Sequence, residues 1–178
     1  MVAVRLGALV PEPFSSLGAS WMVGVEAGWV APAWRHRIGV VADLGFSMPG
    51  ADGQLTSGQA ASAVSWHASV REVTLGVAVE LRLPIGRVMP YLRLGPRLEV
   101  VDALVGGHSG DARLPTTRED SVALGLQLVP GVGLQVGPGQ LFVEVPVAFL
   151  WRVGGTPRLT GDFNPSTLAV AAGYRIFF

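Results

Sequence analysis

Apolar and polar residues alternate with a period of two through most of the 178-residue chain, in eight stretches separated by connections rich in Gly and Pro. The stretches cover residues 2–10, 18–30, 35–46, 64–83, 87–101, 119–136, 140–153 and 168–178. In the second, Ala19, Trp21, Val23, Val25, Ala27 and Trp29 share one side, against Ser20, Gly24, Glu26 and Gly28 on the other. In the last, Leu168, Val170, Ala172, Tyr174, Ile176 and Phe178 oppose Ala169, Ala171, Gly173 and Arg175. Successive side chains of a strand point to opposite faces, so each stretch reads as a strand with one almost purely apolar side. The pattern predicts an all-β protein. Hydrophobic residues make up 49% of the chain and mean hydropathy is +0.45, values that ordinarily suggest membrane helices. No run of about 18 uninterrupted apolar residues occurs, however, so any membrane spans are expected to be strands.

The polar faces decide which side is inside. Gly and Ala alternate there with Arg and Glu, as required where eight strands close round a narrow lumen filled by side chains. The expected lumen holds Arg5, Arg37, Arg82, Arg93, Arg97, Arg152 and Arg175 facing Glu26, Asp43, Glu72, Glu80, Glu99 and Glu144. That set is nearly balanced, and pairing is what makes such burial tolerable. A soluble sandwich or lipocalin-like barrel would instead turn the apolar faces inward. The connections alternate between long (11–17, 47–63, 102–118, 154–166) and short (31–34, Pro84-Ile85-Gly86, Gly137-Pro138-Gly139). Short turns on one rim, shared with both termini, and longer loops on the other are the rule for bacterial outer-membrane barrels. Trp29, Trp34 and Phe178 then fall near the periplasmic rim, and Trp21, Phe46, Trp66, Phe149 and Trp151 near the outer rim, as two aromatic belts. The expected fold is an eight-stranded antiparallel transmembrane β-barrel in up-and-down meander order, one domain across residues 1–178. Pro90, Pro96 and Pro130 each remove a ladder donor inside a strand, so bulges or local irregularity are expected there.

Charge and composition narrow the function classes. Net charge is zero with no basic tract, which speaks against a nucleic-acid partner. Cysteine is absent, so no disulfide framework, thiolate metal site or cysteine nucleophile is available. No cofactor or metal site is expected. The N-terminus runs from Met1 directly into strand alternation, without the charged and apolar regions of a secretory signal, and the chain is expected to be a mature barrel or one cut from a longer precursor. Three histidines confine any enzyme hypothesis to few places. His67 and Ser69, two apart on one strand, point to the same face, where an imidazole could assist a hydroxyl nucleophile, but no acidic partner is evident from the sequence. Gly106-Gly107-His108-Ser109-Gly110-Asp111 has the composition of an exposed loop. Gly131-Val132-Gly133 and Gly137-Pro138-Gly139 open no helix, so a phosphate-cradling reading fails its context.

The whole chain resembles, at the level of pattern, the small eight-stranded outer-membrane barrels of the OmpA, OmpX and OmpW type. The sharpest element is the C-terminal insertion signal, in which Gly173, Tyr174, Ile176 and Phe178 occupy signal positions while Ala171 departs from the usual polar residue. Pro90-Tyr91-Leu92-Arg93 also looks like the Pro-aromatic start of a middle strand in such barrels. The resemblance implies the bacterial outer membrane as location, with lipid, lipopolysaccharide and the barrel-insertion machinery as partners. The expected role is structural, anchoring or surface-interaction without catalysis, with a lumen that an eight-stranded barrel is narrow enough to plug with charged side chains, and a protein partner met at loops 47–63 and 102–118 because the wall is given over to lipid. A narrow conduit for small or hydrophobic solutes is the first alternative. The second is a lipid A modifying enzyme, since outer-membrane lipid A deacylases use a His-x-Ser pair with an acidic orienter.

Overall fold

A computed structural model describes residues 1–11, 19–32, 36–55, 64–155 and 166–178. Its strands, in chain order, are β1 (Val2–Pro11), β2 (Ser20–Val30), β3 (Ile38–Ser47), β4 (Gly50–Leu55), β5 (Val64–Arg82), β6 (Val88–Ser109), β7 (Ala112–Val136), β8 (Gly139–Glu144), β9 (Val147–Gly155) and β10 (Thr167–Ile176). All pairings are antiparallel, and β1 pairs with both β2 and β10, which closes the sheet on itself. β3 and β4 pair with the same strand, β5, in one register, and β8 and β9 do so with β7 and β10. Each couple is therefore a single stave with a gap, and ten named strands make a ring of eight in meander order.

Proline explains the gaps. The staves break at Met48-Pro49 and at Val145-Pro146, where a ladder donor is missing, yet the carbonyls of Pro49 and Pro146 still accept from Val70 (3.0 Å) and Ala169 (2.9 Å). The β5–β6 ladder is likewise interrupted opposite Pro96, with the same register on either side. The irregularities expected at Pro90, Pro96 and Pro130 are thus missing bonds rather than bulges, and Pro90 keeps its place opposite Val132. The register shifts lie instead between Val105 and Gly107 and between Val122 and Ala123.

The two-residue turns Gly86-Arg87, Gly110-Asp111 and Gly137-Pro138 each begin with a glycine at positive φ (63°, 59° and 59°), and the second residue is not left-handed. That is the type II′ hairpin, whose twist matches its flanking strands and whose first central position favours glycine. The turn at Gly110 corrects an expectation. Residues 102–118 are not a loop but the upper half of a hairpin, β6 running to Ser109 and β7 starting at Ala112. The expected loop 47–63 also contains a strand, β4, which extends the third stave. Trp34, most of the expected loop 11–17, residues 56–63 and most of 154–166 lie outside the described residues.

The faces divide as the alternation predicts. Leu124 and Val143 are 47% and 49% exposed, whereas Arg93 and Glu144 are 2% and 1% exposed. On β1, Val2, Val4, Leu6 and Val10 all look outward, and nine residue steps of about 3.3 Å span roughly 30 Å along the strand. Tilted, such strands give an apolar band near the ~25 Å height of outer-membrane barrels.

Candidate functional site

The lumen is built from small residues that make room for large ionic ones. A Cβ on Gly24 would collide with Arg5, and one on Gly131 with the Tyr91 ring. At the centre, Arg93 grips Glu26 with both terminal nitrogens (Nη1 to Oε1 2.7 Å, Nη2 to Oε2 3.0 Å) and donates from Nε to Glu80 Oε2 at 2.7 Å. Arg5 reaches Asp43 at 2.6 Å, Glu144 at 3.0 Å and Glu26 at 3.4 Å. Arg175 donates to Glu26 at 3.2 Å and to Gln140 at 3.3 Å, and Arg82 bonds Glu80 through Nε. Tyr91 donates its hydroxyl to Glu144 Oε2 at 2.9 Å. The guanidiniums of Arg93 and Arg175 lie 5.0 and 5.1 Å from the centroid of the same tyrosine ring. One network therefore ties β1, β2, β3, β5, β6, β8 and β10 together across the barrel axis, with planar Arg forks suited to bidentate carboxylate contacts.

Nearer the outer end the pairing thins. Ser47 donates to Glu72 Oε2 at 2.6 Å, Gln127 donates to Asp43 at 3.0 Å, and Arg97 reaches Gln127 at 3.4 Å. Glu72 Oε1 and both carboxylate oxygens of Glu99 have no hydrogen-bond partner among the described residues.

Eleven of the thirteen residues expected in the lumen are buried there, and two are not. Arg37 is exposed, because β3 begins at Ile38 and strand parity has no hold on the connection before it. Arg152 is half-buried near the outer end of β9. Sequence reasoning missed Glu119, 3% exposed, and Gln140, 1% exposed. Both have the inward parity of their strands, but each sits at the margin of a stretch, where the apolar alternation that would reveal it fades.

Of the expected belt residues, Trp21, Trp29, Phe149, Trp151 and Phe178 are exposed on the outside, and Trp21 packs against the half-buried Phe46 with ring centroids 5.9 Å apart. Trp66 departs from the expectation. It shares the face of Ala68, Val70 and Glu72, which turns inward, and its indole fills the space beside Gly53. Of the insertion-signal residues, Gly173 packs under Phe142, Tyr174 donates to the Val136 carbonyl at 3.0 Å, and Ile176 faces outward.

Beyond the apolar band, β4 and the upper parts of β5, β6 and β7 continue as a polar sheet. Arg118 clasps Asp102 with two bonds of 2.8 and 2.9 Å. A cleft of about 590 Å³ is lined by Asp52, Ser65, His67, Ser69, His108 and Arg113 among others. Asp52 Oδ1 lies 2.5 Å from His67 Nδ1. The acidic neighbour not evident in the sequence comes from β4, whose Asp52 stands directly opposite His67.

An apolar exterior, an ionic interior, edgeless closure and tight turns on the rim that holds both termini define a small transmembrane β-barrel of the Gram-negative outer-membrane class. Its location is the bacterial outer membrane. The fold is similar to that of Neisserial surface protein A, NspA, with 14% sequence identity, 99% of this chain and 94% of that chain covered, and a TM-score of 0.50. Ail, the attachment invasion locus protein of Yersinia pestis, is 11% identical with 98% and 97% covered and a TM-score of 0.47. CarO of Acinetobacter baumannii is 10% identical with 99% and 97% covered and a TM-score of 0.40. At such identities the likeness is one of fold, and function has to be argued from the site. No protein-family model matches the chain, and no curated protein matches it in sequence.

Proposed function

We propose that the protein is a non-catalytic integral barrel, a single domain across residues 1–178, that anchors a surface-exposed polar sheet and whose lumen is closed by its own charges. The observation that carries this reading is the central network. Arg5, Glu26, Glu80, Arg93, Glu144 and Arg175 come from six different strands and are each 2% exposed or less. An eight-stranded barrel is just wide enough for its side chains, so a knot of this size fills the cross-section. The wall then belongs to lipid and lipopolysaccharide, Trp21, Trp29, Phe46, Phe149 and Trp151 anchor it at the interfaces, and Gly173, Tyr174, Ile176 and Phe178 serve the insertion machinery. Interaction with a partner falls to the extracellular sheet, β4 and the β6–β7 hairpin. The rival is a narrow conduit, and planar-bilayer recording separates the two. The closed lumen predicts no stepwise current from the native protein; stepwise currents that disappear when Arg93 or Arg97 is altered would contradict it.

One observation favours a second reading, a lipid A modifying hydrolase: the Asp52–His67 contact beside Ser69. The His67 and Asp52 side chains are 65% and 81% exposed, so their contact lies in open water rather than in the water-excluded setting that strengthens catalytic electrostatics. The non-catalytic reading therefore predicts that lipid A from cells expressing the protein has the same acyl pattern, by mass spectrometry, as that from cells expressing Ser69→Ala. A shortened pattern abolished by that change would establish the hydrolase.

A further inference from the structure

We infer that the periplasmic mouth of the barrel is a binding site for a small oxyanion, a carboxylate or phosphate carried by a periplasmic solute. A cleft of about 530 Å³ opens at the short-turn end, lined by His36, Arg82, Arg87, Gln135, Gln140 and Phe177 among others and, among the described residues, by no Asp or Glu. Its size is that of small-ligand pockets, about 300–1,000 Å³.

The charge at this end is one-sided in the sequence itself. Between the strands at this rim, the connections 31–37 and 83–87 carry Arg35, His36, Arg37 and Arg87 and no acidic residue, whereas the long connections carry Glu12, Asp52, Asp102, Asp111 and Asp162 against Arg113, Arg118 and Arg158. Arg82 forms part of the floor. Arg82 is held by Glu80 and lies with its guanidinium 5.2 Å from the Phe177 ring centroid. Glu80 is shared, accepting also from Arg93 at 2.7 Å and lying 3.5 Å from Arg175, while those two arginines are held by Glu26 as well. Gln140 adds an unspent donor. It is 1% exposed, its Oε1 is taken by Arg175, and its Nε2 has no hydrogen-bond partner among the described residues. Buried donors left unpaired are uncommon, and this one belongs to a residue that lines the cleft. Guanidinium, imidazole and amide N–H groups lining one cleft, over a Glu80 that Arg82 shares with two other arginines, suit an anion whose oxygens accept several bonds at once.

The test is isothermal titration of the folded protein, in a neutral glycoside detergent at low ionic strength, with inorganic phosphate and with succinate as separate probes. Saturable binding of at least one is expected, weakened at least tenfold by Arg87→Gln, an exposed turn position away from the central network, and weakened by Gln140→Leu. Arg113→Gln, at the opposite end of the barrel, should leave it unchanged. Binding of phosphate alone or of succinate alone identifies which class supplies the oxyanion. Absence of binding with both probes, or binding that survives Arg87→Gln or falls equally with Arg113→Gln, overturns the assignment.

Discussion

The central arginine is where the lumen is most exposed to a single change. Arg93 touches Glu26 and Glu80 and lies 3.4 Å from Glu144, all within a space that water does not reach. Removing one partner of a buried pair leaves an uncompensated charge and costs about 3–5 kcal/mol. Arg93→Ala is expected to lower the urea midpoint of unfolding in micelles by a corresponding amount, and Arg93→Lys by less, because it keeps the charge and loses the fork. A midpoint unchanged in both would remove the network from the stability account. Parity alone disclosed that Arg93 and Glu26 face inward, since that depends only on a residue's place in its strand. It could not disclose that they meet, because Glu26 and Arg93 sit on staves that are not neighbours in the sheet.

The strands within the bilayer were legible because lipid on one side and ions on the other impose strict alternation. That constraint ends where the bilayer ends. From Leu104 to Arg118 no residue is buried, the alternation is broken by Gly106-Gly107 and Pro115, and a hairpin reads as a loop. The same holds for β4, whose alternation of Ala51, Gly53 and Leu55 with Gly50, Asp52 and Gln54 is too short and too poor in large apolar residues to stand out, and with β4 the Asp52–His67 contact was hidden. From Leu104, outward and 41% exposed, β6 runs five more residues to Ser109, about 17 Å along the strand. A protease site inserted between Gly110 and Asp111 is therefore expected to be cut on intact cells, with the barrel still resisting unfolding in cold detergent. Cleavage only after the outer membrane is permeabilised would place the hairpin on the wrong side.

At the scale of the whole molecule, everything depends on the barrel being inside out relative to a soluble protein. Leu94 and Val143 stand near mid-height on the outer face, 56% and 49% exposed, while the ionic side chains fill the axis. In water an apolar belt running round the entire circumference would be an aggregation surface; in a bilayer it is the match to the solvent. The chain has no cysteine, so single thiols introduced as Leu94→Cys, Val143→Cys and Asp111→Cys can each carry one fluorophore in reconstituted vesicles. Quenching by brominated lipid is the direct measurement. Labels at 94 and 143 are predicted to be strongly quenched by bromine on the acyl chains and shielded from aqueous iodide, with the label at 111 showing the reverse. Labels at 94 and 143 that iodide quenches and brominated acyl chains do not would contradict the account.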